Sequence, residues 1–159
     1  MNDEEYPIVH RIVVNVQVAS DRLAASDDPV FLGLRGPTGR EFRLQHAKGK
    51  SWRRGAKETY VLAAPGDPDA NVAHPELNDP ATPAIELDGI RWVWLRKGLE
   101  PIPNVRGHGE MDDRLGLDWI EVELHGADGK LLRFGRRGEL WLGLVCGQFL
   151  DIPPVDSGG

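Results

Sequence analysis

Apolar residues recur every second position along most of the chain. From Ile12 to Val18 the residues Ile12, Val14, Val16 and Val18 share one side while Asn15 and Gln17 take the other. That is the pattern of a strand with one wet face. Val30, Leu32 and Leu34 repeat it across Phe31, Gly33 and Arg35, and GPTG at 36–39 supplies turn residues before a further strand at 41–45, which predicts a hairpin. In DWIEVEL, Ile120, Val122 and Leu124 alternate with Glu121 and Glu123, and HGADG then leads into LLRF, a second hairpin signal. Further strands are predicted at 58–62, 90–97, 131–134 and 139–145. No window carries the helical period with start and stop signals; DRLAAS at 21–26 has room for a turn or two of helix at most.

Two stretches interrupt this rhythm. Residues 63–89 are rich in Pro, Asp and Ala, and residues 98–116 mix Pro, Gly and acids. Both read as long surface loops, the places where a binding site is sought. About eight short strands separated by turn signals, with little helix, predict an all-β antiparallel sandwich whose two sheets pack inner faces together. The expected organisation is a single domain over 1–154 with a flexible tail at 155–159.

The 159 residues suffice for one domain with a real core, and 40% apolar with 28% charged residues is ordinary globular composition. A net charge of −6 and arginines scattered along the chain disfavour nucleic acid as a partner. Cys146 is the only cysteine, so no intrachain disulfide framework forms, and its apolar neighbours suggest an inert buried thiol. No apolar run approaches the roughly 20 residues of a membrane span. The acidic start, MNDEEYP, is unlike a secretory signal. The cytoplasm is the default expectation, or the extracellular space if the chain is a domain of a larger secreted protein.

The order of several short motifs resembles the PLAT, or lipoxygenase-homology, domain family. They are Ser26-Asp27 before VFLGLRG, Trp52-Arg53-Arg54-Gly55 followed by Glu58 and Tyr60, Trp119 opening WIEVEL, and Trp141-Leu142. The resemblance runs from about Ile12 to Leu142. It implies a β-sandwich of two four-stranded sheets that docks to lipid surfaces or protein partners, sometimes with calcium, while catalysis belongs to an attached domain. This chain departs from the family in its two larger loops and in Lys97-Gly98, where members often show His and Asp.

The candidate sites follow. Asp27 and Asp28, joined by Asp112 or Asp113 from the 98–116 loop, offer oxygens to calcium. The same two aspartates also suit an Asx-turn before Pro29, and Lys97, a cation near a site meant for one, tips the reading toward the turn. Trp52, Tyr60, Trp92, Trp94, Trp119 and Trp141 are expected to be mostly core. The run Trp92-Val93-Trp94-Leu95 is apolar on both sides, so one side must meet a folded-over loop or a partner. Trp52 with Arg53 and Arg54 offers an amphipathic patch for anionic head groups. No Gly-x-Ser-x-Gly elbow, phosphate loop or metal-spaced histidine set occurs, so the chain is expected to be an interaction module and not an enzyme. The alternatives are a carbohydrate-binding sandwich stacking sugars on Trp92 or Trp94, and a small hydrolase using His108, Glu110 and Asp112.

Overall fold

The computed structural model describes residues 7–21, 24, 29–98, 114–143 and 147–155. Eight strands form two four-stranded antiparallel sheets. They are β1 (Val9–Val18), β2 (Val30–Arg35), β3 (Gly39–Arg43), β4 (Lys57–Leu62), β5 (Trp92–Lys97), β6 (Leu115–Gly126), β7 (Leu131–Leu142) and β8 (Phe149–Asp151). The first sheet has the order β4-β1-β6-β7 and the second β3-β2-β5-β8. The all-β sandwich expected from the two-residue period is the observed fold, and both predicted hairpins are present as β2–β3 and β6–β7. No helix occurs among the described residues, and none there is long and apolar enough to cross a membrane.

The register explains the core. Val14 lies opposite both Tyr60 and Val122, and Leu32 lies opposite both Phe42 and Leu95, so the inward residues of each sheet stack in rows. All six are buried and belong to one continuous cluster. The 63–89 stretch is more than a surface loop. Val72, Ile85 and Leu87 enter that cluster, and Val9 N–H donates to the Ile85 carbonyl at 2.9 Å. Arg40 of β3 fastens this stretch, its guanidinium donating to the carbonyls of Leu77, Asp79, Thr82 and Pro83 at 2.6–3.2 Å.

Two strand expectations are corrected. Residues 131–134 and 139–145 were expected as separate strands; β7 instead runs as one from Leu131 to Leu142, through Gly135-Arg136-Arg137-Gly138. An extra residue on β7 between the Leu117–Leu140 and Trp119–Arg137 pairs makes a bulge, and Gly138 absorbs it with φ of 115°. The short β8 was not expected at all, since three residues show too little alternation to register.

Three sheet edges are already occupied. Asn71 serves the edge of β4, its backbone N–H and side-chain amide bonding Val61 and Thr59 at 2.7–3.2 Å. The Asn78 side-chain oxygen accepts from Arg43 N–H on β3 at 2.9 Å. The carboxy-terminal segment lies along β7, with Gly135 N–H donating to Pro153 at 2.9 Å and Val155 N–H to Arg133 at 3.0 Å. Added-strand pairing has little to grip at these edges, and the fourth edge, β8, is only three residues long, so the sheet faces are the broad surfaces for a partner.

Candidate interaction surface

The outer faces of the two sheets differ in chemistry. On the first sheet, outward side chains pair with one another: Thr59 with Asn15 at 2.7 Å, Arg137 with Glu121 at 3.3 Å, and His125 with Glu123 at 3.0 Å. Trp119 and Trp141 also point outward here, half-buried, with Lys57 and Arg114 each 5.7 Å from the ring centres. This is the wet face that the alternation in β1 and β6 predicts.

The second sheet turns aromatics outward. Across its strands one row reads Arg43, Phe31, Arg96, Phe149 and the next reads Glu41, Gly33, Trp94, Asp151, while Trp92 lies opposite Arg35. Trp92 is 49% exposed and Phe149 62% exposed. Gly33 makes room for Trp94: a Cβ there would lie 1.9 Å from the indole, so the ring lies across β2 where any other residue would lift it. Trp92 meets Trp94 edge to face, with centroids 5.9 Å apart at 68°, so the two rings do not form one plane.

Hydrogen bonds fix these rings. Trp92 Nε1 donates to Asp151 Oδ1 at 2.8 Å and Trp94 Nε1 to Glu41 Oε2 at 3.1 Å. Arg96 forks onto both oxygens of Glu41 at 2.8 and 2.9 Å, and its guanidinium sits 4.3 Å from the centre of the Phe31 ring. The Arg96 bonds hold the Glu41 carboxyl below its ordinary range against the opposing effect of partial burial, and Glu41 in turn raises Arg96. A rigid aromatic surface loses little entropy when something covers it.

The predicted site residues divide. Trp92 and Trp94 stand together on this face, Trp92 being the more open. Trp52 does not join them. It is 3% exposed and its indole N–H donates to the Leu44 carbonyl at 3.0 Å, so the patch expected around it reduces to the exposed Arg53 and Arg54. The expectation that most of the six aromatics are core is also corrected. Trp52 and Tyr60 are buried, whereas Trp92, Trp94, Trp119 and Trp141 occupy outward positions because Val, Leu and Ile fill the inward ones.

The Trp52–Gly55 motif has a structural role. Trp52 adopts a left-handed backbone with φ of 56°, and the buried Glu58 carboxylate accepts from its N–H at 2.7 Å and from the Tyr60 hydroxyl at 3.1 Å. Tyr60 lies between the His46 ring, stacked at 4.2 Å, and the Trp52 ring, stacked at 5.1 Å. Burial, with the Glu58 charge beside it, pushes the Tyr60 hydroxyl far above its ordinary pKa, so it stays protonated and donates. Burial also lowers His46, partly offset by Glu58.

Asp27, Asp28, Asp112 and Asp113, the residues expected to offer oxygens to calcium, lie outside the described residues, as do His108 and Glu110 of the hydrolase alternative. Among the described residues no group of three or more acids, histidines or cysteines gathers to hold a metal. Asp21, Asp118 and Glu139 line one cavity of about 310 Å³ without forming such a group. Lys97, opposite Val30 in the sheet, is wholly buried, and Gly98 N–H donates to the Pro29 carbonyl at 2.7 Å.

Phe31, Arg35, Glu41, Arg43, Phe149 and Asp151 were not singled out from the sequence. The signal for the first two was present in the alternation of VFLGLR, whose second side is aromatic, glycine and arginine.

No protein-family model and no curated protein sequence matches the chain. Solved structures do match. The alpha toxin of Clostridium absonum superposes with a TM-score of 0.59 at 17% identity, over 94% of this chain and 32% of that one. Clostridium perfringens alpha-toxin from an avian strain gives 0.59 at 15%, over 96% and 33%. Coral 8R-lipoxygenase, described as activated by calcium through a C2-like domain, gives 0.56 at 12%, over 91% and 17%. The chain thus spans a third or less of each, and the likeness establishes the fold as a C2-like, PLAT-like sandwich.

Proposed function

We propose that this chain is a non-catalytic docking module that attaches to a lipid surface through the outer face of its second sheet. The observation that carries the proposal is the aromatic set on this face: Trp92 and Phe149 are exposed, Trp94 and Phe31 lie half-buried beside them, and both indole N–H groups are hydrogen-bonded. Tryptophan and arginine side chains suit the headgroup level of a bilayer, where an apolar ring and a polar edge are both satisfied. The resemblance in motif order and the shared fold support a docking role, and the small share of each toxin or lipoxygenase that the chain spans is consistent with chemistry residing elsewhere in such proteins.

Docking through this face does not require calcium, whose candidate ligands Asp27, Asp28, Asp112 and Asp113 lie outside the described residues.

The test is co-flotation with vesicles of mixed phosphatidylcholine and phosphatidylserine. The wild-type chain is expected to float with them, and Trp92→Ala combined with Phe149→Ala to remain at the bottom while keeping the wild-type circular dichroism spectrum. Flotation of the double variant at the wild-type level would remove this face from the account.

A further inference from the structure

We propose that the face selects anionic bilayers over neutral ones, and does so without calcium, through Arg35 and Arg43. This rests on the lipid-docking reading above. The charges on the face are not equivalent. Both of its acids are already engaged, Glu41 by Arg96 and Trp94, and Asp151 by Trp92. Arg96 is engaged with them. Arg35 and Arg43 are exposed, and no hydrogen bond, ion pair or ring contact involves their side chains among the described residues. The charge that this face has left to offer a partner is therefore positive, on a chain whose net charge is −6.

The two arginines stand at opposite ends of the aromatic set. Arg43 lies opposite Phe31, which separates it from Arg96, and Arg35 lies opposite Trp92. A surface that satisfies the whole face must take exposed aromatic rings together with two unengaged cationic side chains. The interface of an anionic leaflet does this, with phosphates and carboxylates above and acyl chains below. Guanidinium forks bind such oxygens bidentately, which is the contact a bridging divalent ion would otherwise provide. An acidic protein surface could meet the arginines, but the half-open Trp92 and Phe149 rings would then need apolar partners in register, whereas lipid chains adapt to them.

Each basic residue close to an anionic leaflet strengthens attachment roughly fivefold, and the gain is screened by salt. The experiment measures partitioning onto phosphatidylcholine vesicles with and without phosphatidylserine, each in calcium and in chelator. The wild-type chain is expected to prefer the serine-containing vesicles equally in both conditions. Arg35→Gln with Arg43→Gln is expected to bind them about thirtyfold more weakly, approaching its binding to neutral vesicles. Arg133→Gln with Arg137→Gln, an equal charge change on the opposite face, is expected to bind like wild type.

Equal binding to both vesicle types, untouched by the Arg35 and Arg43 substitutions, overturns this inference and leaves lipid docking standing. Selectivity that appears only with calcium overturns it as well. Binding to neither vesicle, by a chain with an intact spectrum, overturns the docking reading itself and points to a protein partner.

Discussion

Removing the Glu58 carboxylate should destabilise the fold more than any single outward substitution. In Glu58→Ala the Trp52 N–H loses a buried acceptor at 2.7 Å and the Tyr60 hydroxyl loses one at 3.1 Å. A buried donor left unsatisfied costs about 1–3 kcal/mol, with charge-assisted bonds toward the upper end. The left-handed Trp52, at φ of 56°, also loses the anchor that holds its ring in the core, and displacing the ring exposes apolar surface, a cost offset in part by relief of about 1–3 kcal/mol of backbone strain. Against these stands the desolvation cost of the carboxylate, which the substitution removes. The net expected loss is about 3 kcal/mol, or roughly 6–12 °C in Tm for a domain of this size. Tyr60→Phe, which removes only one bond, should cost about 1 kcal/mol. Urea unfolding followed by tryptophan fluorescence measures both. A Glu58→Ala chain within about 1 kcal/mol of wild type would refute the view that Glu58 holds the Trp52–Gly55 turn.

Two further outcomes are expected. Gly33→Ala places a Cβ within 1.9 Å of the Trp94 indole, so the ring must lift from β2; near-ultraviolet circular dichroism should change and vesicle binding weaken, while unfolding shifts by about 1–3 kcal/mol. Burial lowers His46 in the folded chain, so the unfolded chain binds its proton more readily. Stability should therefore fall as pH drops below about 6.5, the ordinary histidine value, and His46→Phe, which keeps the ring stacked on Tyr60, should flatten urea midpoints measured between neutral and mildly acidic pH.

The fold was legible because inward Val, Leu and Ile alternate cleanly with polar residues in β1, β2 and β6. Alternation could not say which side of Trp92-Val93-Trp94-Leu95 faces the core, since both are apolar. The choice is made by the neighbouring strand, where Gly33 opposite Trp94 leaves space for an indole and Leu32 opposite Leu95 does not. Trp52 was misplaced for a related reason. Its sequence neighbours Arg53 and Arg54 are exposed, but a left-handed backbone and the Glu58 anchor six residues away turn its ring inward. The cationic ends of the face were hidden because Arg35 and Arg43 lie on different strands and become a pair only through the sheet register.

The central claim, that the outer face of the second sheet meets lipid, is tested most directly by quenching tryptophan emission with vesicles whose acyl chains are brominated. Trp92 lies on that face and Trp119 on the opposite one. The account predicts quenching in the wild-type chain and in Trp119→Phe, and its loss when Trp92 and Trp94 are both replaced by Phe. Quenching that survives in that double variant and disappears in Trp119→Phe would place the lipid on the other sheet and contradict it.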